Sequence, residues 1–121
     1  MYLMLRNLMR RLRYSLFPIR VRTFSDFLSY LYDGCEVSVR LRRDVEVVDS
    51  RPSILYSAQF RIKGSDGRKV VYTEVIKRVD PLFEDAEYES VKRDFNMIVE
   101  KRFKEMKKYG KKLEILNQYT T

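Results

Sequence analysis

The chain has no histidine, a single cysteine, and no acidic residue before Asp26. Without histidine there is no Ser-His-Asp or Cys-His catalysis, and most zinc sites are excluded as well. Cys35 has no partner for an internal disulfide, which points to a reducing, cytoplasmic setting. No run of about 18 apolar residues is present to span a membrane. Arginines interrupt every apolar stretch of the first 22 residues, so a secretory signal is not expected there. Asn and Gln are scarce beside abundant charge and Tyr, a composition compatible with a thermophile.

What is present is positive charge: 25 Lys+Arg against 17 Asp+Glu give a net charge of +8, with a pI near 9.7. Such a surplus favours an anionic partner, whether nucleic acid, acidic lipid or an acidic protein. With 121 residues, 45% hydrophobic and 35% charged, the chain reads as one globular domain able to bury a core without disulfides or metal. We divide it into a basic amphipathic segment with its linker, 1–22, and an α-β-β-β-α core, 23–121. No internal repeat or low-complexity tract is visible.

Tyr2, Leu5, Leu8, Met9, Leu12 and Leu16 recur at helical spacing and predict a helix over 2–17, ended by Pro18. Arg6, Arg10 and Arg13 fall together on its flank. This segment can dock by its leucine stripe, self-associate, contact phosphates or lie on an anionic membrane. Being Arg-rich and free of acids, residues 1–24 also have the pattern of a mitochondrial presequence. A second, short helix is expected after Thr23 or Ser25, either able to cap it, with Phe27, Leu28 and Leu31 inward and Gly34 ending it.

From Cys35 the period changes to two. Cys35, Val37, Val39, Leu41, Val45 and Val47 point one way, and Ile54, Tyr56, Ala58, Phe60 and Ile62 alternate after the turn "DSRPS". "KGSDGRK" is a hairpin turn and "VVYTEVIKRV" the returning strand. Asp80-Pro81 then opens a long helix, acidic at its start and basic at its end, with Val91, Phe95, Ile98, Val99, Phe103 and Met106 as its core stripe. A short strand over 113–116 completes the list. The expected fold is α+β in two layers: two N-terminal helices, a three-stranded antiparallel sheet, and the long helix on one sheet face.

The other sheet face carries the chemistry. Pairing Val48 with Leu55 would set Arg42 against Arg61 and Arg40 against Lys63. Like charges so placed repel, by about 0.2–1 kcal/mol per pair, and a bound anion would relieve them. Arg68, Lys69 and Tyr72 from the third strand are expected to join this face. Basic residues around an aromatic ring suit nucleic acid. The expected site is therefore Arg6, Arg10, Arg13, Arg40, Arg42, Arg61, Lys63, Arg68, Lys69 and Tyr72, with no metal and no cofactor. The basic run "KRFKEMKKYGKK" serves the helix dipole and would extend this surface if it lay beside the first arginines.

The element order resembles that of metal-dependent nucleases of the restriction-endonuclease type, whose signature is an acid on one strand and Glu-x-Lys on the next. Here Glu74-Val75-Ile76-Lys77 is one residue longer, which in a regular strand puts Glu74 and Lys77 on opposite faces. The strand over 54–62 also has no acid to be a second metal ligand. Double-stranded-RNA-binding domains share the order too, but place lysines where this chain has "DPLFEDAEYE". The expectation is a small, non-enzymatic protein that binds DNA or RNA by its phosphates, within a larger nucleoprotein assembly. The alternative is a protein-interaction module or homodimer that associates through the first helix.

Overall fold

The computed structural model describes residues 17–109 and the backbone of a strand at Glu114–Tyr119. The proposed helix over 2–17, with Arg6, Arg10 and Arg13, lies outside the described residues. The elements are β1 (Ile19–Val21), α1 (Phe24–Leu28), β2 (Glu36–Val48), β3 (Arg51–Lys63), β4 (Lys69–Val79), α2 (Glu84–Lys107) and β5 (Glu114–Tyr119). The class is α+β, but the sheet has five strands and is mixed, in the order β1-β4-β3-β2-β5. The two hairpins β2–β3 and β3–β4 are antiparallel as expected. β1 runs parallel to β4, and β5 parallel to β2. A three-residue strand such as Ile-Arg-Val is too short for its alternation to show in the sequence. The "LEIL" strand is longer than expected, and its parallel pairing is what α2 permits as a crossover.

The turn between β2 and β3 is tighter than expected. Val48 pairs with Arg51, not Leu55, so Asp49 and Ser50 alone make the loop. Both have positive φ, 52° and 63°. That is the primed two-residue geometry that matches strand twist. It is usually written with Asn or Gly, which is why the turn was not legible here. Moving the pairing by four positions, an even number, leaves every side chain on its expected face.

One face of the sheet is covered. Val37, Val39 and Leu41 of β2 and Ile54, Tyr56, Ala58, Phe60 and Ile62 of β3 are all buried there, against Val91, Phe95, Val99 and Met106 of α2. Ile98 and Phe103 complete the stripe, half-buried. α1 brings Phe24 and Phe27 onto Phe60 and Tyr72, with ring centroids 5.5–6.3 Å apart, the separations at which aromatic pairs attract. Thr23 caps α1 by accepting the Asp26 N–H at 3.1 Å. Cys35 is buried in this core, as expected of a structural thiol. Val45 and Val47 were expected inward but are exposed. α2 begins level with Arg43 and Tyr56, so the tip of the hairpin projects past its cover.

Asp80 accepts the Leu82 N–H at 2.9 Å and starts a single 3₁₀ turn, Pro81–Phe83, which leads into α2. The first residue of α2, Glu84, locks the helix to the sheet. Its carboxylate accepts two bonds from Arg43, at 2.6 and 2.9 Å, and one from the Tyr56 hydroxyl at 2.7 Å. The Arg43 hydrogen bonds, with that of Tyr56, hold Glu84 down at about 2. Burial, with the neighbouring carboxylate, pushes Tyr56 up to about 12. A carboxyl depressed on folding stabilises the fold above its free value of about 4.3, and that contribution fades as pH falls toward 2. Glu84→Gln is therefore expected to flatten the loss of thermal stability between about pH 4.5 and 2. Melting curves across that range check it, and an unchanged acid limb contradicts it.

Candidate functional site

The face of the sheet turned away from α1 and α2, uncovered by any described helix, is built from even-numbered residues of β2 and odd-numbered residues of β3, with Lys69, Val71, Thr73 and Val75 of β4. Across it, Arg20 lies beside Val71, Val71 opposite Arg61, and Arg61 opposite Ser38. Gln59 separates Thr73 from Arg40, and Ser57 separates Val75 from Arg42. Lys69, Lys63 and Glu36 form the row nearest the β3–β4 turn. The face thus gathers Arg40, Arg42, Arg61, Lys63 and Lys69, five of the expected residues, and adds Arg20. The signal for Arg20 was faint: an arginine between two apolar residues just after Pro18.

Two expectations are corrected. Tyr72 is not on this face. It pairs with Phe60 on the covered side and is buried. "VVY" offers apolar residues to both faces, and the aromatic cluster takes the larger ring, leaving Val71 outward. Nor do Arg42 and Arg61 stand opposite each other. Arg42 faces Ser57 and Arg40 faces Gln59, whose side-chain oxygen accepts the Arg40 Nε–H at 2.8 Å. Like charges do meet across a strand pair, but they are Lys63 and Lys69. Arg68 sits in the turn before β4, where its backbone N–H and side chain both meet Asp66.

The charges on this face are unevenly neutralised. Toward the β2–β3 turn, Arg42 is 3.1 Å from Asp44 and Arg78 is 2.9 Å from Glu46, while Arg51 at the turn itself has no carboxylate within ion-pair distance among the described residues. On the covered side Arg43 has Glu84, Lys77 has Glu87, and Arg102 has Glu74 and Glu105. Among the described residues, no carboxylate stands within ion-pair distance of Arg20, Arg40, Arg61, Lys63 or Lys69. Burial, then Arg61, then Arg42 lower the Arg40 pKa, opposed by Asp44. Ser57, Gln59 and Val71 in the middle of the face are buried between these longer side chains. With strands about 4.8 Å apart and about 3.4 Å per residue, the band from Lys69 to Arg40 is roughly 17 Å long.

The Glu74 and Lys77 spacing has an unexpected outcome. β4 carries a bulge opposite Tyr56 and Ser57: Val75 pairs with Ser57, Lys77 pairs with Tyr56, and Ile76 is the extra residue. The bulge absorbs the added position, so Glu74 and Lys77 share the covered face after all. Both are engaged there. Glu74 accepts from the Tyr72 hydroxyl and from Arg102, whose guanidinium lies 4.3 Å from the Phe24 ring centroid. Lys77 meets Glu87 at 3.6 Å. Among the described residues, no group of three acids or thiols is close enough to hold a metal ion, and no helix is long and apolar enough to cross a membrane. Comparison with protein-family models, with curated proteins and with solved structures gives no significant match.

Proposed function

We propose that this is a small, basic, non-enzymatic cytoplasmic protein that binds nucleic acid through the uncovered face of its sheet. The observation that carries the proposal is the cluster Arg20, Arg40, Arg61, Lys63 and Lys69, none of which has a carboxylate within ion-pair distance among the described residues, whereas Arg42, Arg43, Lys77 and Arg78 each have one. Holding like charges together without counter-ions costs stability, and phosphate groups supply the missing charge. Contacts of this kind follow the backbone and carry no base sequence, so binding is expected to be largely sequence-independent.

Lys63 and Lys69 provide the test. They stand directly opposite each other, where like charges cost about 0.2–1 kcal/mol. Lys63→Gln with Lys69→Gln is expected to leave the fold equally or slightly more stable and to weaken nucleic-acid binding. Urea unfolding and titration of a labelled oligonucleotide read the two effects separately. Unchanged binding by a folded double variant would remove these lysines from the site.

A further inference from the structure

The ligand of this face can be specified further, given the nucleic-acid reading above. Proteins that hold single strands need a groove of positive charge and also aromatic rings on which exposed bases stack. The described part of the uncovered face has the charge and lacks the rings. Every aromatic residue of β2, β3 and β4 (Tyr56, Phe60 and Tyr72) is buried on the other side, in contact with α1 or α2. Where a stacking platform would lie, the floor is Ser57, Gln59, Val71, Thr73 and Val75.

We infer that the partner is a double-stranded nucleic acid held by its phosphates. A duplex hides its bases in the stack and asks for no aromatic contact. Its two strands together present about one charge per 1.7 Å of helix axis. The cluster extends about 17 Å from Lys69 to Arg40, a length that spans about five phosphates along one strand of a duplex. Asp44 and Glu46 are each in an ion pair toward the other end of the face, and Glu36 stands across from Lys63 at the cationic end.

The experiment compares a mixed-sequence duplex of about 20 base pairs with oligo(dT) of the same length, which forms no duplex, at one salt concentration of about 0.1 M. The full chain is expected to bind the duplex at least tenfold more tightly. Val75→Tyr, which places a ring at an exposed position of the same face, is expected to raise oligo(dT) affinity about tenfold and to leave duplex affinity within twofold. Equal or tighter binding of oligo(dT) by the unaltered chain overturns the inference and leaves the nucleic-acid reading standing. So does a folded Val75→Tyr variant with no gain. Binding of neither ligand overturns both.

Discussion

Replacing Arg40 and Arg61 together by glutamine is expected to weaken nucleic-acid binding by at least tenfold while the protein stays folded. The two residues lie on neighbouring strands beside Gln59 and Ser38, Arg61 within the band and Arg40 at its β2 end. Neither has a carboxylate within ion-pair distance among the described residues, and Arg40 is pushed down by burial and by the neighbouring Arg61 and Arg42. A charge-assisted hydrogen bond contributes about 1.5–3 kcal/mol, so losing two exceeds the 1.4 kcal/mol of a tenfold change. Glutamine is chosen over alanine for a structural reason. Gln59 is buried and accepts from Arg40. Alanine would leave that oxygen unpaired, at about 1–3 kcal/mol, and would confuse a folding defect with a binding defect. Glutamine removes the charge and keeps a donor. Arg42 makes a poorer target, because Asp44 already neutralises it. A folded double variant that binds as tightly as the parent would exclude this face.

Phe60→Ala is expected to give the largest loss of stability of any single substitution considered, about 3–5 kcal/mol. Phe60 is fully buried and meets four rings: Phe24, Phe27, Tyr72 and Phe103, with centroids 6.0–6.4 Å away. It joins α1, β4 and α2 to the central strand. Domains of this size are stable by about 5–15 kcal/mol, so such a loss leaves a marginal protein. Chemical unfolding should show a much lower midpoint with little change in slope. Binding should fail with the fold, because Gln59 and Arg61, on either side of Phe60 in the chain, take their direction from β3. A variant as stable as the parent would mean that the aromatic cluster is not the centre of the core.

The elements that were legible in the sequence are those with a long period or a distinct cap. Thirteen residues of alternation in each of β2 and β3, and the charge order of the 24-residue α2, leave little ambiguity. Asp80-Pro81 marked the helix start to within a turn. What was not legible depends on partners distant in sequence. β1 is a strand because β4 has a free edge beside Val70–Tyr72, and nothing in "IRV" says so. The bulge at Ile76 became visible only with β3 alongside. Tyr72 shows the same limit within the site. Alternation alone assigned its face by counting from a turn, while three phenylalanine rings settled it by burial. The basic residues of the site were found because charge needs no register to be noticed. Their pairing needed the register, and it was the pairing that separated Arg40 and Arg61 from Arg42.

The most direct measurement of the central claim is the salt dependence of duplex binding by the unaltered protein. Each phosphate neutralised on a duplex contributes about −0.9 to the slope of log K against log salt. The five clustered cations Arg20, Arg40, Arg61, Lys63 and Lys69 predict a slope of about −4.5, or steeper if residues outside the cluster or the described part add contacts. The double variant Arg40→Gln/Arg61→Gln should reduce it by about 1.8, independent of the sequence of the duplex. Failure to bind at about 50 mM salt, where such contacts are strongest, or a slope the double variant leaves unchanged, would contradict the account.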